Sequence, residues 1–154
     1  MIRIARRVIA LAAVSLPVAA AALTAQGAPP AADKPYEAVS LSGRPLTAAA
    51  APPEVLQQLE QARARFDAAM TEENAIWLGR RTAYAGRYRE AIAIYTDGLA
   101  RFPASYRLYR HRGHRYISIR QFGRAIADFE KAAELVRGQP LEVEPDGAPN
   151  RAGV

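Results

Sequence analysis

Two strings of eight residues, Tyr88-Arg-Glu-Ala-Ile-Ala-Ile-Tyr95 and Phe122-Gly-Arg-Ala-Ile-Ala-Asp-Phe129, decide how this chain folds. They begin 34 residues apart, each opens and closes on an aromatic, and each carries Ala-Ile-Ala in between. Outward from them the same offset pairs Gly79 with Gly113 and Ala83 with Ile117 without a gap. A fixed period of this length marks a repeat whose unit is one supersecondary element. Ile76, Leu78, Gly79 and Ala83 place apolar and small groups at helical spacing. Ala85-Gly86-Arg87 then makes a turn, and Ala91, Ile92, Ile94, Tyr95 and Leu99 form the next apolar face. Tyr109, Gly113, Tyr116 and Ile117, then Ala125, Ile126, Phe129, Ala132 and Leu135, do the same in the second unit. Glycine inside a helix costs about 1 kcal/mol against alanine. Gly79 and Gly113 therefore need a packing reason, which close approach of paired helices supplies.

The unit, helix–turn–helix in 34 residues, resembles the tetratricopeptide repeat family over residues 72–139. Gly79 and Gly113 match the family's small residue where helices approach, Tyr88 and Phe122 its turn aromatic, and Ala91 and Ala125 the alanine opening the second helix. Tyr95 and Phe129 match its packing aromatic, and Pro103 its terminating proline. Three departures stand out. Trp77 lies two positions beyond the usual tryptophan, whose place holds Ala75 and Tyr109. Thr82 replaces a tyrosine that Tyr116 supplies in the second unit, and Arg137 replaces the second proline. The phrases at 76–84, 110–118 and 144–147 are similar to exported bacterial tetratricopeptide proteins that are usually longer, which implies a shortened member and carries no defined activity. The fold implied is all-α: a short right-handed α/α solenoid of two hairpins, repeat one 72–105 and repeat two 106–139, preceded by a capping helix over 54–70.

That cap rests on Val55, Leu59, Ala62, Phe66 and Ala69, which recur at helical intervals and cover the open end of the first hairpin. Repeat arrays usually need about three units, because each buries its face on a neighbour. Two units and a cap leave an apolar flank, Ala125–Val136, expected to seek a second copy or a partner protein.

The rest of the 154 residues divides into a signal, a linker and a tail. Arg3, Arg6 and Arg7 precede an apolar run, Val8–Leu23, and small residues follow, with cleavage points after Ala22 or Gly27. This run of 16 residues, seven of them alanine, falls short of the roughly 20 that a membrane span needs. Residues 1–27 read as an export signal, with a periplasmic or secreted destination; an uncleaved signal would make an inner-membrane anchor instead. Arg6-Arg7 lacks the surroundings of a twin-arginine signal, and with no cysteine in the chain there is no lipid attachment, disulfide or thiol nucleophile. Six prolines between Pro29 and Pro53 make 28–53 a proline- and alanine-rich tether, extended or disordered, with a faint sign of local packing at Leu41–Leu46. Pro140, Pro145, Gly147, Pro149 and Gly153 make 139–154 a flexible tail, so the folded region spans 54–138.

Charge gives the functional expectation. The 21 cations against 15 acids make a formal +6, an excess that invites a nucleic-acid reading. Export removes three arginines and no acid, leaving 18 against 15. What remains is concentrated: from Asp97 to Asp128 there is no acidic residue, while Arg101, Arg107, Arg110, Arg112, Arg115, Arg120 and Arg124 lie between. The resemblance implies that the first helix of each unit lines a groove, with Arg107, Arg110 and His114 facing it from the second unit and Arg80 from the first. Guanidinium forks match carboxylate and phosphate, so the expected ligand is a protein or peptide, acidic for preference. The competing expectation is a solvated arginine face meeting Glu72, Glu73 and Glu90.

Tyr109 and Tyr116 fall at packing positions, so no nucleic-acid partner is expected. His111 and His114 sit at i, i+3 among arginines without a carboxylate, which argues against metal. Glu72-Glu73 at a helix start offsets exposed amides. The serines lack a nucleophile elbow, and no glycine-rich phosphate loop is present. Neither catalysis nor a cofactor is expected. The reading is a scaffold that binds protein; its rivals are an assembly subunit oligomerising through the terminal hairpin and a membrane-anchored form.

Overall fold

The computed structural model describes residues 36–140 and 142–144, and the signal segment 1–27 lies outside them. Five helices follow in chain order: α1 (Pro53–Ala68), α2 (Glu72–Tyr84), α3 (Tyr88–Arg101), α4 (Tyr106–Ser118) and α5 (Phe122–Val136). Each packs on the next, and α2 also touches α4, so two hairpins stack side by side with α1 across the open end of the first. This is the all-α helical-repeat architecture expected from the 34-residue period.

The period is preserved down to single hydrogen bonds. Thr71 caps α2 by accepting from the Asn74 amide at 3.1 Å, and Ser105, 34 residues on, caps α4 from the Leu108 amide at 3.0 Å. In the first turn the Gly86 and Arg87 amides donate to the Ala83 and Thr82 carbonyls. In the second, the Arg120 and Gln121 amides donate to those of Ile117 and Tyr116. This closure satisfies the last carbonyls of each helix and requires one residue in the left-handed region. Gly86 supplies it with φ +77°, and Arg120 occupies the equivalent place with φ +62°.

Gly79 and Gly113 have the packing reason that their positions demanded. A Cβ on Gly79 would overlap the Tyr95 ring, and one on Gly113 would meet Phe129 Cε1 at 2.9 Å. Each glycine thus faces the packing aromatic of its own hairpin. Around them, Ala75, Ile76, Ala83, Ala91, Tyr95, Leu99 and Leu108 form one core cluster that joins the hairpins. Leu59 and Ala62 of α1 join Leu78 and Ala85 in a second, with Phe66 packed against both, which makes α1 the expected cap; Ala69 falls just beyond the helix and is exposed.

Two stretches depart from expectation. From Tyr36 on, the segment read as a tether is docked. It forms a small antiparallel ladder, β1 (Ala38–Val39) with β2 (Pro45–Leu46), around a turn with Gly43 at φ +79°. Ala38 is 4% exposed and packs with Tyr116, Ile119 and Ala125, with Leu46 beside it. Leu41, at the tip of the turn, is exposed. The Glu37 carboxylate accepts the Arg89 amide at 3.0 Å, giving α3 the N-terminal anion that its own cap residue, Arg87, does not provide. Prolines exclude helix here, but an extended chain pays no such penalty and can still lie in a seam. The tail is the second departure, since Glu144, in the stretch expected to be flexible, is buried at 6% exposure.

On α5, within the flank expected over Ala125–Val136, Ala125, Ala132 and Val136 are buried and Ile126 is exposed. Phe122 and Ile126 are its large apolar side chains in solvent among the described residues.

Candidate functional site

The face made by α2 and α4 collects the residues singled out from sequence. Thr71 and Ser105 start both helices in the same register, which brings Glu72 and Glu73 of α2 beside the first turn of α4. The Ser105 hydroxyl donates to Glu72 Oε1 at 2.5 Å, and Arg107 Nη1 donates to Glu73 Oε2 at 2.7 Å. Glu73 also accepts from Trp77 Nε1 at 2.7 Å, so its carboxylate is held from both helices.

Arg107 and Arg110 lie on successive turns of α4 and are 9% and 3% exposed. They converge on one oxygen. Glu144 Oε2 accepts from Arg110 Nη2 at 2.5 Å and from Arg107 Nε at 3.2 Å. The Glu144 side chain is 3% exposed, so this is a desolvated ion triad, to which the half-buried Glu73 adds a second carboxylate on Arg107. Burial opposes the Arg107 charge, but the Glu73 hydrogen bond and the charges of Glu73 and Glu144 outweigh it and raise its pKa. Tyr106, one turn before Arg110, has its hydroxyl pKa pushed up to about 12 by burial, then by the charge and hydrogen bond of Glu144. Two polar atoms at the triad have no hydrogen-bond partner, Arg107 Nη2 and Glu144 Oε1.

The other two expected site residues are Arg80 and His114. Arg80 lies with its guanidinium 4.4 Å from the centre of the Trp77 ring and donates to the Tyr84 hydroxyl at 3.3 Å. His114 meets Phe129 edge to face at 5.1 Å. Its pKa is lowered by burial, then by Arg115 and Arg110. His111 stacks on Tyr95 at 5.9 Å, at the hairpin seam. Among the described residues no group of three or more His, Asp or Glu is placed to hold a metal ion.

Of the competing expectation, a solvated arginine face meeting Glu72, Glu73 and Glu90, the pair Arg107–Glu73 is present, but Arg107 and Arg110 are buried and Glu90 is reached by Arg63 and Arg87 from outside the arginine-rich stretch. Arg112 forms a two-point pair with Asp128, Nη2 to Oδ1 and Nε to Oδ2, both at 2.8 Å. Sequence reasoning missed Asp128 and Glu144 as partners. Asp128 was visible as the acid interrupting an apolar helix face, one residue before the packing aromatic. Glu144 carried no local sign, because its role depends on chain direction after α5.

No family model matches the chain. Over 51 residues it is 41% identical to an Hsp70-Hsp90 organizing protein of Triticum aestivum, a stretch that covers 33% of this chain and 9% of that relative. The chain thus spans less than a tenth of the length of the curated relative it matches. This similarity supports a tetratricopeptide-like repeat.

Proposed function

We propose that this protein is a non-catalytic interaction scaffold of the bacterial cell envelope, whose α2–α4 face binds an acidic segment of a partner protein. The observation that carries this reading is the convergence of Arg107 and Arg110 on a single buried carboxylate. Desolvated guanidinium groups bind carboxylates strongly and with directional selectivity. The Glu73 contact holds Arg107 in place independently of any ligand. Arg80 and Trp77 extend the same face on α2, offering a cationic and aromatic rim to the flanks of a bound segment. His114, on α4 and packed edge to face on Phe129, has its pKa lowered by burial and so favours the neutral ring. Export, through residues 1–27, places the partner in the periplasm or outside the cell.

Charge reversal at Arg107 or Arg110 would bury like charges against Glu73 and Glu144, so a lysine is the cleaner change. It keeps the charge and removes the fork. The test is crosslinking capture from the native envelope with the wild-type and the Arg107→Lys, Arg110→Lys chain. Loss of captured partners with unchanged helical circular dichroism is the expected result. Capture that is insensitive to both substitutions overturns the groove and favours assembly through Phe122 and Ile126, the exposed apolar pair on α5.

A further inference from the structure

Resting on the groove reading above, we propose that the segment around Glu144 is a built-in competitor for the Arg107–Arg110 site, displaced when a partner's carboxylate fits that site better. The occupant is the chain's own acidic stretch, Glu142-Val-Glu144, eight residues beyond the end of α5 at its last position. Among the described residues of this stretch Glu144 is the buried one, at 6% exposure, whereas the neighbouring Val143 is 73% exposed and Glu142 is also in solvent.

The fit of that anchor is incomplete. Oε2 takes both guanidinium contacts, while Oε1 is buried without a hydrogen-bond partner and Arg107 Nη2 is likewise unmatched. A buried donor and a buried acceptor left unmade weaken the bound state. A carboxylate presenting both oxygens to the fork would engage the donor that Glu144 leaves idle. On the receiving side Arg107 keeps a second carboxylate contact, Glu73 at 2.7 Å, and the Arg110 guanidinium lies 5.9 Å from the centre of the Tyr106 ring. Tethering through a short link supplies the competitor at an effective concentration in the millimolar range, so a free ligand binds with a correspondingly reduced apparent affinity.

The probe is a fluorescent, end-blocked peptide of residues 139–147, followed by anisotropy with the full chain and with its Glu144→Gln variant. The expected result is binding to the variant about tenfold tighter than to the wild type. A second peptide, with glutamine at the Glu144 position, is expected to bind the variant about tenfold more weakly than the first. Equal affinity of the first peptide for the two chains overturns the competitor and leaves the groove standing. A variant that does not distinguish the two peptides overturns both. Should Glu144→Gln lose its helical signal, hydrogen exchange on the unmodified chain gives the same decision. Saturating peptide should speed exchange at the Val143 and Glu144 amides, and unchanged exchange overturns the inference.

Discussion

Gly79 has no room for a methyl group, because a Cβ there would overlap the Tyr95 ring, itself 1% exposed and fixed in the core. Alanine is the better helix former by about 1 kcal/mol, so propensity and packing oppose each other at this position. Overpacking in a close-packed core costs about 1–3 kcal/mol, and here packing should win. Gly79→Ala is expected to lower the unfolding free energy by about 1–2 kcal/mol in urea denaturation. Gly113→Ala should lose less, since Phe129 stands at 2.9 Å and is only partly buried. His114 gives a second prediction at this scale. Its pKa is lowered by burial and by the nearby Arg115 and Arg110, so the folded state favours the neutral ring. Below the ordinary value of 6.5 the unfolded chain binds the proton first, and stability therefore falls as pH drops from about 6.5 toward the folded pKa. Stability above pH 6.5 should be independent of this group. His114→Gln should flatten that part of the curve in urea midpoints measured from pH 5 to 7.5, while wild-type stability declines toward acid.

At the scale of elements, the two hairpins repeat each other's hydrogen bonds but differ in the residue that closes the turn. Gly86 adopts φ +77° freely, whereas Arg120 holds φ +62° against the clash between its Cβ and the backbone. Arg120→Gly removes a strain of about 1–2 kcal/mol and adds some unfolded-chain entropy, for a net gain of about 0.5–1 kcal/mol. Arg120→Val should lose about 1–2 kcal/mol, since a β-branched residue resists that conformation most. Thermal unfolding of the two variants, moving in opposite directions from wild type, checks this. Helix positions were legible for a related reason. Glycine at the first turn and apolar faces at helical spacing are local signals, and they agree with one another. The cap helix was legible from Leu59, Ala62 and Phe66, which pack as their spacing implies. Its far end was not, because Ala69 continues the spacing while adopting φ −154°, outside the helix.

On the scale of the whole molecule, the stretches outside the repeats complete it. Tyr36–Leu46 seals the seam between the hairpins through Ala38, with Glu37 serving as the missing cap of α3. Ala38→Asp would place a charge where 4% of the residue is exposed, against Tyr116, Ile119 and Ala125. We expect a loss of about 1–3 kcal/mol in urea denaturation with little change in helical circular dichroism, because the five helices do not depend on the ladder for their own bonds. The tail closes the site from the other end of the chain. By itself the sequence determined the helical hairpins, their order and their tight glycine–aromatic seams, since each rests on contacts within one 34-residue unit and on residues whose spacing states their role. It also marked Arg107 and Arg110 as facing one side of α4. Only the tertiary structure decided that Ala38 and Glu144 belong to the folded body. Proline-rich and polar chain has no period of its own, and where it docks depends on a surface assembled by residues 50 to 90 positions away in one case and about 35 in the other. The charge pattern showed an excess of arginine. That one of its pairs is already met by the chain's own carboxylate is a matter of geometry, fixed by desolvation and the direction in which the chain leaves α5.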